Sequence, residues 1–139
     1  MQKLNTRESL ASVQTHIDII MLERLSKAQK KAARALIDLA LERECANFIE
    51  NVSRLAGKPL DDSDKPNHAR YIEIFKLVDS FDKHIADRYD GMTGSRYVDT
   101  VSFLFFEGSL AEEDLEICDE ELRDEVCRIK GILEQINRR

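Results

Sequence analysis

The sequence predicts an all-α fold: a long N-terminal helix, or a helical hairpin in its place, packed with three further helices as an oligomeric bundle. Three observations carry that prediction. The stretch Thr6–Ala56 contains no Pro or Gly and is closed by Gly57 and Pro59. An apolar row at helical spacing runs through it: Leu10, Val13, Ile17, Met21, Ala28, Ala32, Ala35, Leu39, Ala46, Ile49. The composition, with 35% charged residues, no Trp, five Gly and two Pro in 139 residues, suits helices and leaves little room for a sheet.

The N-terminal stretch can be one helix or two. A second apolar row, Ala33, Ile37, Leu41, Cys45, Phe48, Val52 and Leu55, widens its latter half. Ser26 with Gln29 forms a capping-box pattern that would start a second helix at Lys27. Against a break, no Gly, Pro or Asn lies between Ser9 and Asn47. Arg24, Lys27, Lys30, Lys31 and Arg34 would also crowd a helix N-terminus with cations, which the macrodipole disfavours. The sequence reading therefore favours one helix, with a break near Ser26 as the alternative. A single helix of this length spans roughly 75 Å, and the later helices roughly 30 to 45 Å. The surplus apolar face would need a second copy, so a homo-oligomer, a dimer in the first place, is expected.

The remaining elements follow from their punctuation. Gly57–Pro66 is the clearest loop, and Asn67 is placed to cap a helix running to Asp90. Its apolar positions are Tyr71, Ile74, Phe75, Val78, Phe81, Ile85 and Tyr89. Residues 95–107 are rich in β-formers, but no other segment offers a strand to pair with them, so a short buried helix is predicted. Gly108 ends it. Ser109 with Glu112 then caps a last helix over 110–137, whose apolar positions Leu115, Cys118, Leu122, Val126, Ile129, Leu133 and Ile136 approach a coiled-coil seam. The whole chain, 1–139, reads as a single helical domain.

Charge and cysteine usage narrow the setting. Residues 1–60 hold ten Lys/Arg against seven Asp/Glu, and residues 61–139 hold eleven against twenty. This acidic balance argues against general nucleic-acid binding. No apolar run reaches the length of a membrane span, and residues 1–7 lack a signal-peptide pattern. Three cysteines without a C-x-x-C pair point to a reducing compartment, buried thiols and a cytoplasmic location.

Catalytic patterns are mostly missing. No Glu stands three residues before His16, His68 or His84, no Walker loop or dinucleotide fingerprint occurs, and no cofactor is implied. Glu112, Glu113, Glu116 and Glu121-x-x-Asp124 invite comparison with all-α nucleotide pyrophosphatases, which set such pairs on two helices around magnesium. Here both pairs fall on one predicted helix, and no membership is drawn. Cys118 and Cys127, nine residues apart on that helix, face opposite sides and cannot grip one zinc. Gly94, Ser95 and Arg96 open a helix and form a candidate anion site.

Two charge stripes are the candidate partner-binding residues: Arg24, Lys27, Lys31 and Arg34 on one helix, and Glu112, Glu116, Glu120 and Asp124 at i, i+4 spacing. The expected function is a non-catalytic protein–protein interaction, assembly or regulatory module. The alternative is a carboxylate-rich, metal-dependent all-α enzyme acting on a small phosphorylated molecule.

Overall fold

The computed structural model describes residues 25–93 and 96–138. Among them every regular element is helical: α1 (Lys27–Gly57), α2 (Pro66–Tyr89), α3 (Tyr97–Glu107), a short 3-10 helix (Glu112–Ile117) and α4 (Glu120–Asn137).

The start of α1 corrects the continuous-helix reading. Leu25 and Ser26 are non-helical, and the capping box forms in both directions. Ser26 Oγ accepts from the Gln29 N–H at 3.1 Å, and Gln29 Oε1 accepts from the Ser26 N–H at 2.9 Å. Two otherwise orphaned donors are satisfied. The cations Lys27, Lys30 and Lys31 stand exposed, where water screens their repulsion by the dipole. Leu10, Val13, Ile17 and Met21 lie outside the described residues.

Along α1 the two apolar rows exchange the roles expected of them. Ala33 and Ile37 of the second row are buried together with Leu36 and Ala40. Ala28, Ala35, Ala46, Leu39 and Ile49 of the first row are exposed. Side-chain size does not decide it, since Ala33 and Ala40 are buried while Leu39 and Ile49 stand exposed; the face that meets the neighbouring helices does.

The chain divides into two compact units. One holds α1 as far as Ala40 together with Met92 onward, and the other is Leu41–Gly91. Buried in the first unit are Leu36 and Ala40 of α1, Val98, Val101 and Leu104 of α3, and Leu122, Val126, Ile129 and Leu133 of α4, with α3 packed against α4. α3 ends at Gly108, whose φ of 87° is the left-handed conformation a helix stop requires. The Ser109 N–H closes that stop on the Leu104 carbonyl at 2.9 Å. Inside α3, the Asp99 carboxylate accepts from the Thr100 N–H at 2.8 Å, and Ser102 Oγ donates to the Val98 carbonyl at 2.6 Å. Both side chains are buried. Lys130 lies 4.0 Å above the Phe105 ring, a cation–π contact.

The last helix also departs from expectation. It is interrupted at Cys118 and Asp119, and α4 proper starts at Glu120. Asp119 Oδ1 accepts from the Leu122 N–H at 2.8 Å, a helix cap that Ser109 does not provide. The intervening 3-10 turn carries Leu115 into the core, fully buried beside the equally buried Leu110. The same carboxylate receives the Gln29 amide at 3.0 Å, so one side chain serves the first turns of both α1 and α4.

The second unit is an antiparallel hairpin of the latter half of α1 and α2. Pro66 occupies the first turn of α2, where its missing N–H is no loss, and Lys65 rather than Asn67 stands at the cap. Phe48 and Phe81 stack with centroids 4.1 Å apart and planes 3° from parallel. The Arg70 guanidinium donates to the carbonyls of Ala56, Lys58 and Pro59 at 3.3, 3.0 and 3.3 Å. It thereby satisfies the C-terminal end of α1.

Candidate functional site

A polar cluster ties the two helices of the hairpin. Glu44, half-buried on α1, gathers three groups of α2. Arg88 donates at 3.0 Å, the Tyr89 hydroxyl donates at 2.8 Å, and His84 Nε2 lies 3.3 Å away. Burial, then the hydrogen bond to Glu44, pushes the Tyr89 phenol well above its ordinary value. This polar cluster holds the two helices together, with His84, its side chain 43% exposed, at the edge.

Elsewhere the hairpin exposes apolar side chains, among them Ile72 and Leu77 of α2 at 37% and 40%. Phe48 and Phe81 mark where the helices face each other. Counted from them, Ile49 stands about 100° round α1, and Val78, Tyr71 and Phe75 stand about 60°, 80° and 120° round α2. Turns of the same sense lead to the same side of an antiparallel pair. Tyr71 is 65% exposed, Ile49 63%, Phe75 58% and Val78 45%. α2 buries none of its residues fully. Tyr71, Phe75 and Val78 were expected in the packed row of this helix, yet Ile74, Phe81 and Ile85 fill that place as half-buried residues. The signal was in the sequence, because apolar residues cover more of this helix than one neighbour can hide.

The charged candidates sit elsewhere. Arg24 lies outside the described residues; Lys27 and Lys31 are exposed on the first turns of α1. Arg34 donates to the Tyr97 hydroxyl at 2.8 Å and lies 5.6 Å from that ring's centroid. That hydrogen bond holds its guanidinium above the usual range. Glu112 meets Arg123 at 3.7 Å. Glu116, Glu120 and Asp124 are exposed. The break before α4 splits the acidic ridge, with Glu112 and Glu116 on the 3-10 turn and Glu120 and Asp124 on α4. Among the described residues no ion pair joins the basic set to the acidic one.

Of the candidate anion site, Gly94 and Ser95 lie outside the described residues, and the Arg96 N–H is taken by the Thr93 carbonyl at 2.9 Å. Among the described residues no group of three or more His, Cys, Asp and Glu is placed to hold a metal, although the break does put the two acidic pairs on separate elements. Cys118 precedes α4 instead of sharing it with Cys127, and its thiol is half-buried, pushed up by burial and then by neighbouring Asp119. Cys127 is exposed rather than buried as expected. No described helix is long and apolar enough to cross a membrane.

The chain was compared with known proteins at three levels: no family model, no curated protein and no solved structure matches it.

Proposed function

We propose that this chain is a non-catalytic helical module that works by binding protein, and that its docking surface is an exposed apolar face of the α1/α2 hairpin. The single observation behind the reading is the exposed row Tyr71, Phe75 and Val78 beside Ile49. Scattered exposed apolar residues are ordinary on any surface. Two aromatic and two aliphatic side chains that helical phase sets within about 60° of one another are the kind of group that marks association surfaces. Aromatic anchors of this type dominate binding energy at protein interfaces. The charges on the first turns of α1 and around the start of α4 would tune partner choice and encounter rate more than affinity. Self-association, a dimer in the first place, belongs to this reading, and the free thiols of Cys45, Cys118 and Cys127 suit a cytoplasmic setting.

Chemical crosslinking of the full chain in its native cells, read by mass spectrometry, tests it. Lys76 and Lys83 are exposed on α2 and should crosslink to another polypeptide, identical or different. Phe75→Glu should abolish those links while leaving helicity intact. A wild-type chain that gives no intermolecular link from α2 would end the proposal.

A further inference from the structure

The partner can be argued further from the same row, on the footing of the docking surface just proposed. Tyr71, Phe75, Val78 and Asp82 follow one another at steps of four, three and four residues. Such steps keep side chains on one ridge of a helix. The sequence of steps is also the same read from either end. An antiparallel copy of α2 therefore presents its ridge in register with the first: Phe75 of each copy meets Val78 of the other, and Tyr71 of each meets Asp82 of the other.

The chemistry of the outer pairs agrees with the spacing. The Asp82 carboxylate is exposed and makes no ion pair among the described residues. A phenolic O–H donating to a carboxylate is a charge-assisted hydrogen bond. Donor and acceptor both lie on this ridge, at equal distances from its midpoint, as a surface that meets itself about a twofold axis requires.

The size fits as well. With exposures of 63%, 65%, 58% and 45%, Ile49, Tyr71, Phe75 and Val78 offer exposed surface. That surface is roughly 450 Å², about a quarter of it from Ile49 beside the ridge, taking about 200 Å² for each aromatic and somewhat less for each aliphatic side chain. One side of a standard interface buries about 800 Å², a little over half of it apolar.

We infer that the Tyr71–Asp82 ridge of α2 is an isologous dimerisation surface occupied by the antiparallel α2 of a second copy.

Light scattering and sedimentation of the full chain over a dilution series test this, with circular dichroism as the check on folding. The wild type should show twice the chain mass when concentrated and one chain mass when dilute. Phe75→Glu should hold the single-chain mass throughout. Tyr71 permits a sharper test, because it is the most exposed member and its replacement leaves the hairpin intact even if Phe75→Glu does not. Tyr71→Glu sets two carboxylates against each other and should weaken the dimer at least roughly tenfold, whereas Tyr71→Lys meets Asp82 with opposite charge and should keep or tighten it. A wild type that stays a single chain overturns the inference, as does a dimer indifferent to Phe75→Glu and Tyr71→Glu, or equal behaviour of the two Tyr71 variants. Crosslinks from Lys76 and Lys83 to a different protein would, in those cases, leave the docking surface standing with another occupant. Loss of all such links would remove both.

Discussion

Asp119 does more for this chain than its exposed position suggests. Its carboxylate caps α4 through the Leu122 N–H at 2.8 Å and accepts the Gln29 amide from α1 at 3.0 Å. Gln29 itself is only 5% exposed and also closes the α1 capping box. Asp119→Ala removes a cap and leaves a buried amide short of an acceptor, so it should destabilise the fold by about 2 kcal/mol, read as a lower urea midpoint at unchanged slope. Tyr89 gives a pH signature. Its phenol is raised by burial and by Glu44, so the folded chain holds that proton more tightly than the unfolded chain. The stability this contributes is complete below the ordinary tyrosine value of about 10 and is lost as pH rises toward the folded value. Alkaline unfolding should therefore be steeper in wild type than in Tyr89→Phe. Cysteine chemistry should sort by environment: exposed Cys127 alkylates first, and Cys118, half-buried with a raised thiol, lags well behind it in timed mass spectra.

At the scale of elements, the sequence located helices better than it located their faces. The short buried helix expected over 95–107 forms at Tyr97–Glu107, and the stop at Gly108 and the loop between Gly57 and Pro66 lie where punctuation put them. Two things were not readable from punctuation. Competition between rows on α1 is decided by what packs against them, and Leu36, absent from both expected rows, turned out to be fully buried. The start of α4 depended on Asp119, a cap visible only once Leu115 is known to turn inward. The candidate surface was half readable: its residues stood in the apolar row of α2, but periodicity cannot say which part of a wide row stays uncovered. A pair of substitutions checks the assignment on α1. Leu36→Ala, at 1% exposure, should cost between about 2 and 5 kcal/mol. Leu39→Ala, three residues on and 36% exposed, should cost less than about 1 kcal/mol. Equal losses in thermal or urea unfolding would mean the two rows had been confused.

For the molecule as a whole, the acidic excess of residues 61–139 has a plain solution consequence. Magnesium or manganese that binds a folded site raises the melting temperature with concentration. Exposed carboxylates such as Glu116, Glu120 and Asp124, scattered over two elements, should give a flat response in such a titration. A rise that saturates would instead favour the metal-dependent enzyme.

The Arg70 guanidinium reaches across the loop that joins the two hairpin helices, binding three carbonyls on the far side. Both lysines of that loop, Lys58 and Lys65, precede prolines, so trypsin finds no good bond there, while Asp61, Asp62 and Asp64 leave it open to acid-directed proteases. A chain nicked at those aspartates should still run as one species on a native gel and separate into two fragments only in denaturant. A severed backbone would thus leave the hairpin held by Arg70, the stacked Phe48 and Phe81 rings and the Glu44 cluster.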